Sequence, residues 1–169
     1  MCTKWIYGLL LLTLMACQQK TSKMQTVLQS DSMQLFVFLN LDCPICQKYQ
    51  GQFKSLEDSA YTTYYVFPGQ SQSKQLSHWM QYNQIDQAHV IQDSSFVWTD
   101  FVKASNTPEA ILYHREQVIY RGLLTDQFRG IGAFQSEGHI NYVHNALNSL
   151  RQHVPIQNTK PVGCFIEPH

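Results

Sequence analysis

The sequence predicts an α/β layer fold, with a mixed central sheet flanked by helices. Three observations lead there. Strand-like and helix-like segments alternate along the chain, the last two strand-like runs are joined closely enough to form an antiparallel hairpin, and an amphipathic segment follows them. The order is βαβα(βα)ββα.

Taken in turn, Leu35-Phe36-Val37-Phe38-Leu39 is a continuous apolar run of strand length. Its lack of polar alternation suggests a strand covered on both faces, in the middle of the sheet. From residue 43 to about residue 58 the apolar positions Cys46, Tyr49, Phe53 and Leu56 recur at helical spacing. Pro44 suits a first turn there, because its missing N–H costs nothing. Tyr64-Tyr65-Val66-Phe67 reads as a second strand closed by Pro68-Gly69, and residues 73–83, with Leu76, Trp79 and Met80 on one side, as a helix. His89-Val90-Ile91 is a short strand and residues 96–104 a short helix. Ala110-Ile111-Leu112-Tyr113 and Val118-Ile119-Tyr120 are strands joined by His114-Arg115-Glu116-Gln117. Residues 122–138 are expected as a loop, solvated around Asp126 and Arg129. Ile140, Val143, Leu147 and Leu150 then mark one face of a terminal helix. Trp79, Trp98 and the tyrosines are expected to pack, and no internal repeat is visible.

At the start, Lys4 precedes an unbroken apolar run from Trp5 to Leu12, followed by Leu14-Met15-Ala16-Cys17. This is the layout of a secretory signal. The run is about half of the roughly 20 residues that span a bilayer, so a cleaved signal is favoured over a transmembrane helix. Leu14-Met15-Ala16-Cys17 resembles a bacterial lipobox, which implies that Cys17 becomes the acylated first residue of the mature protein. An ordinary cleaved signal with an incidental cysteine is the plain alternative. The expected organisation is a signal peptide at 1–16, a polar tether at 17–30, one domain at 31–153 and a C-terminal tail at 154–169 that carries Cys164.

Twelve Lys and Arg balance twelve Asp and Glu, so no net charge draws the chain to nucleic acid, and none is expected as a partner. The five cysteines are more informative. Cys2 leaves with the signal and Cys17 is the expected lipid site, which leaves Cys43, Cys46 and Cys164 facing an oxidising compartment. A disulfide framework wants an even number, so at least one of the three should be reactive, metal-bound or paired outside the chain.

Cys43-Pro44-Ile45-Cys46 directly follows the buried strand and opens a helix. Backbone N–H groups at a helix start stabilise a thiolate, and only the thiolate attacks a disulfide sulfur. Cys46 follows one turn later, on the face that Tyr49 and Phe53 turn inward, so Cys43 is expected as the exposed attacking thiol and Cys46 as the sheltered resolving one. Asp42 beside the nucleophile should oppose the helix start and give a moderate thiol, with a pKa not below about 5.

These residues, Leu39-Asn40-Leu41-Asp42-Cys43-Pro44-Ile45-Cys46, and later Asn106-Thr107-Pro108-Glu109-Ala110, resemble the thioredoxin-like superfamily, in particular its exported bacterial redoxin (AhpC/TSA-like) branch. The resemblance implies a thioredoxin-like fold and thiol-disulfide oxidoreductase activity without a cofactor. It further implies that Pro108 is cis and lies against the cysteine pair, and that Thr107 contacts an incoming polypeptide. Tyr120-Arg121-Gly122, Asp126-Gln127-Phe128 and the tail Thr159-Lys160-Pro161-Val162-Gly163-Cys164-Phe165-Ile166 look like a subgroup of redoxin-domain proteins of envelope bacteria with a similar glycine-cysteine ending. Members of that subgroup often keep only the first active-site cysteine, so Cys46 departs from it. The implied location is the cell envelope, periplasmic or outside, with the membrane reached through a lipid anchor. The implied partners are cysteine-containing envelope proteins or a thiol redox partner.

Other readings stay open. A structural disulfide or half a metal site are the plain alternatives for Cys43 and Cys46. A c-type haem is excluded, because it needs a histidine immediately after the second cysteine, where Gln47 stands. A peroxiredoxin-like peroxidase usually has a threonine or serine three residues before its cysteine, where Asn40 stands. A copper- or zinc-handling protein on the same scaffold would use the three sulfurs, but the histidines show no clustered metal spacing. Cys164 is a candidate third redox thiol if the tail folds back onto Cys43 or Cys46. A half-exposed thiol, or one paired with another molecule, is its plain alternative.

Overall fold

In the computed structural model, the side chains of Leu35, Phe36, Val37 and Phe38 are all fully buried, as a central strand covered on both faces requires. They lie in β1 (Met33–Phe38). On one side β1 pairs in parallel with β2 (Tyr61–Pro68), which pairs in parallel with β3 (Val90–Asp93). The two-residue β4 (Asn106–Thr107) stands outside this sheet and leads into β5 (Glu109–His114), which lies antiparallel on the other side of β1. β6 (Gln117–Gly122) completes the order β3-β2-β1-β5-β6. The mixed sheet predicted from the sequence is therefore present.

Residues 24–130, 132–135 and 140–167 are described. The expected signal at 1–16, Cys17 and the first part of the tether lie outside them. The chain divides into Met1–Asp31 and Ser32–His169. In the first unit residues 24–28 are helical. Among the described residues, no helix is long and apolar enough to cross a membrane.

The α-helices of the second unit are α1 (Pro44–Lys48), α2 (Ser73–Asn83), α3 (Val97–Val102) and α4 (Tyr142–Arg151). Successive side chains of a strand point to opposite faces. Leu35 and Val37 accordingly share a core with Cys46, Phe53, Trp79 and Leu147, while Phe36 meets Trp98 of α3 at 5.4 Å between ring centroids. Asp93 at the end of β3 fixes α3 by accepting from the N–H of Trp98 at 3.2 Å and of Thr99 at 2.8 Å.

The helix expected to run to about residue 58 stops at Lys48. Gly51 adopts φ +79°, and its N–H bonds to Asn83 Oδ1 at 2.8 Å rather than to a carbonyl one turn back. A 3-10 turn, Phe53–Leu56, follows, and it keeps Phe53 and Leu56 in the core. The apolar stripe was thus real, although two short pieces carry it. The hairpin between β5 and β6 turns on Arg115 and Glu116, both at positive φ, the twist that two-residue hairpins favour.

The expected loop at 122–138 contains a small ribbon of β7 (Phe128–Gly130) and β8 (Ala133–Phe134). Asp126 is fully buried in it, which corrects the expectation of a solvated loop there. Its carboxylate accepts from Ile140 N–H at 2.8 Å and from Arg129 at 2.5 Å, and such bonds offset its loss of water. Ile140 precedes α4 rather than lying on it; Asn141 caps that helix by accepting from His144 N–H at 3.0 Å. A further strand, β9 (Cys164–Phe165), comes from the tail and pairs antiparallel with β4.

Candidate active site

The carboxyl end of β1 runs into the turn Asn40-Leu41-Asp42. Asn40 shapes this turn with its side-chain oxygen, which accepts from Asp42 N–H at 2.8 Å, and with its carbonyl, which accepts from Cys43 N–H at 3.2 Å. Cys43 is the N-cap of α1 and Pro44 fills the first turn. Cys46 lies inside this five-residue helix and is buried. The peptide bond Thr107–Pro108 is cis, and the Thr107 carbonyl oxygen lies 3.1 Å from Cys43 Sγ. The cysteine pair and the Thr107-Pro108 segment, far apart in sequence, therefore meet.

β9 brings a third sulfur. Thr107 pairs with Cys164 and Asn106 with Phe165, and Cys164 Sγ lies 2.8 Å from Cys43 Sγ with all three cysteines unbonded. The tail is also held upstream and downstream. Thr159 donates its N–H to Arg121 O at 3.1 Å, its hydroxyl accepts from Leu123 N–H at 2.8 Å, and Ile166 N–H reaches Ser105 O at 3.0 Å. Asn158 Oδ1 accepts from Arg121 N–H at 3.0 Å.

Two expectations about Cys43 are corrected by this arrangement. Cys43 is only 2 % exposed, since the tail strand covers the thiol that a bare helix tip would present to solvent. Its pKa is not that of a moderate thiol but is lowered to about 4. The main cause is a hydrogen bond from the Cys46 thiol; burial opposes it, and a bond from Cys164 adds to the lowering. The negative charge placed at Cys43 has the converse effect on its neighbours. Cys46 is pushed far above the ordinary thiol range, by burial first and by the Cys43 sulfur second. Cys164 is raised to about 11, again by burial and then by Cys43. Near neutral pH the site therefore holds one thiolate between two thiols.

Several residues that build the site stand in the sequence motifs without a structural role assigned to them. Glu109, directly after the cis proline, is buried and accepts from the N–H groups of Ser105 at 2.7 Å and Asn106 at 3.1 Å. It thereby shapes the short β4 edge. The signal was available: a lone acid opening an apolar strand needs partners. Gly163 packs so tightly that a Cβ there would sit 2.0 Å from Thr107 O, and one at Gly122 would sit 2.1 Å from Thr159 Oγ1. Gln47, in the place a haem-binding histidine would take, donates to Leu41 O at 2.9 Å. Among the described residues, no group of three His, Cys, Asp or Glu is arranged to hold a metal ion.

No family model matches the sequence, and no curated protein matches it. Solved structures do resemble the fold. An uncharacterized conserved protein from Geobacillus kaustophilus superposes with a TM-score of 0.64 at 16 % identity, covering 84 % of this chain and 80 % of that one. A hypothetical protein from Sinorhizobium meliloti 1021 follows at 0.60 and 17 %, covering 80 % and 79 %. The thioredoxin domain of a thiol-disulfide oxidoreductase from Bacteroides vulgatus superposes more loosely, at 0.40 and 12 %, covering 73 % and 80 %. Likenesses at these identities concern the fold, and the chemistry has to be read from the sulfurs.

Proposed function

We propose that the chain is a thioredoxin-like, exported, lipid-anchored thiol-disulfide oxidoreductase of the cell envelope. The observation that carries this reading is the position of Cys43. The residue stands at the N-cap of a helix, and its sulfur accepts hydrogen bonds from Cys46 and from Cys164, the latter at 2.8 Å. That environment stabilises a thiolate, the form that attacks disulfides.

Attack of the Cys43 thiolate on a target disulfide forms a mixed disulfide and releases one target thiolate, which takes a proton. Cys46 then attacks Cys43 Sγ, releasing the second target thiol and closing a Cys43–Cys46 disulfide. A thiol redox partner in the envelope returns the pair to its reduced form. In this scheme Thr107 and Pro108 line the polypeptide side of the site, and Cys164 acts as a third redox thiol because it reaches the same sulfur. A low thiol pKa also makes Cys43 a good leaving group, so transfer of a disulfide to a target is open to the same site.

The peroxidase alternative gains no support, since Asn40 commits its side-chain oxygen to the turn and presents no hydroxyl three residues before Cys43. Reduction of a protein disulfide, followed with a dithiol as electron source, tests the main reading. Cys43→Ser should bring the rate to the uncatalysed value, and equal rates for wild type and variant would end the proposal. Fatty-acid labelling of wild type but not of Cys17→Ala, in a bacterial host, tests the anchor.

A further inference from the structure

We propose that the tail, residues 158–166, is an internal substrate, filling the groove that binds an external polypeptide, and that this groove selects extended segments with a glycine immediately before their cysteine. The inference rests on the oxidoreductase reading and deepens it by naming the substrate class.

The first support is geometric. An extended segment pairs antiparallel with the strand that ends at the cis proline, and its cysteine is opposite Thr107 with Sγ 2.8 Å from Cys43 Sγ. That is the approach a reacting chain needs: backbone pairing sets the register, and the register delivers the sulfur. The second support is steric. At Gly163 a Cβ would sit 2.0 Å from Thr107 O and 3.1 Å from Pro108 Cδ, so backbone and ring, rather than a flexible side chain, exclude every larger residue there. The position after the cysteine is not selected, because Phe165 is 80 % exposed. A third support is the separate hold on Thr159, whose hydroxyl meets Leu123 N–H and the Tyr120 hydroxyl, each at 2.8 Å. The tail is thus fixed at two points, as a bound peptide would be.

An internal substrate changes the order of bonds. Once Cys43 holds a mixed disulfide with a target, return of the tail brings Cys164 to Cys43 Sγ. Its thiolate attacks there, the target sulfur leaves and takes a proton, and Cys43–Cys164 forms. Attack of Cys46 on Cys43 Sγ then forms Cys43–Cys46 and frees Cys164 as a thiol. Each step breaks one S–S bond and makes one, so the two electrons lost by the protein's thiols rest on the target's sulfurs.

Two measurements on the full chain test this. Alkylation of Cys43 in reduced protein, read by mass spectrometry, should be about tenfold or more faster in Gly163→Val than in wild type, because access follows the fraction of tail that is open. Thr159→Val, which loosens the upstream hold, should accelerate it less. The second measurement uses Cys164→Ser and the peptide Asn-Thr-Lys-Pro-Val-Gly-Cys-Phe-Ile-Glu carried as a thiopyridyl disulfide. Release of thiopyridine should slow about tenfold or more when Val replaces the peptide's Gly, and stay unchanged when Ala replaces its Phe. Equal alkylation in wild type and both variants, or equal release from the Gly and Val peptides, overturns the proposal. Release by Cys43→Ser as fast as by Cys164→Ser would instead sink the oxidoreductase reading, while a contrast in alkylation would still establish the tail as the cover.

Discussion

Cys43 has two sulfur neighbours that reach it by different routes. Cys46 is one helical turn away, is 5 % exposed, and is placed by the local geometry of a short helix. Cys164 is 121 residues away, half-buried, and is placed by a two-residue strand and a few hydrogen bonds at Thr159 and Ile166. The local partner is permanent as long as α1 is folded. The remote partner depends on an edge pairing that can open while the sheet stays intact, because short, peripheral segments open at much lower free energy than a core. Chemistry that needs a constant thiolate belongs to the first route, and chemistry that must yield to an incoming chain belongs to the second.

The largest effect expected from breaking this asymmetry is on the Cys43 titration. Cys46 is the foremost cause of its lowered pKa, so Cys46→Ala should cut the thiolate fraction at acid pH about tenfold or more, and Cys164→Ala should cut it less. Thiolate absorbance against pH would measure both, and a larger effect of Cys164→Ala would reverse the ranking.

Next in size is Glu109→Ala. It strands the N–H groups of Ser105 and Asn106 behind β4 and should cost roughly 2–3 kcal/mol, seen as a melting temperature lower by about 5–10 °C. Gly122→Ala acts on the remote partner through Thr159. Its backbone sits at φ +140° with Thr159 in the way, so a cost of about 1–2 kcal/mol and faster alkylation of Cys164 are expected. Unchanged Cys164 reactivity would show that the Thr159 hold does not govern the tail.

The same titration sets how stability depends on pH. A folded pKa depressed to about 4 contributes stability that is complete above the ordinary thiol value of 9.0 and lost as pH falls through about 4. Relative to Cys43→Ala, reduced wild type should therefore lose melting temperature steadily from about pH 8 to about pH 5. Cys164, raised to about 11, works in the opposite sense; its contribution is complete below 9.0 and lost as pH rises through about 11. Parallel melting curves for wild type and Cys43→Ala across the acid range would contradict the assignment.

Much of the fold was legible because burial leaves a pattern. The run Leu35 to Phe38 suggested a strand covered on both faces, Val143 and Leu147 the inner side of a helix, and all of them are buried. The break at Gly51 was less so, because the glycine that ends α1 sits within an apolar stripe that continues past it in a 3-10 turn. Asp126 was misjudged for the related reason that a charge reads as solvated unless its partners are seen, and those partners, Arg129 and Ile140 N–H, come together only in the folded loop.

By itself the sequence determined the α/β order and the placement of a cysteine pair at the start of a helix, since hydrophobic period and local spacing are properties of neighbouring residues. What only the tertiary structure decided is how reactive and how accessible Cys43 is. Its accessibility, and the part of its lowered pKa that Cys46 does not supply, depend on the burial and the Cys164 thiol that the folded tail brings from far along the chain, and a sulfur's charge responds to what lies within a few ångströms of it, whatever the distance in sequence.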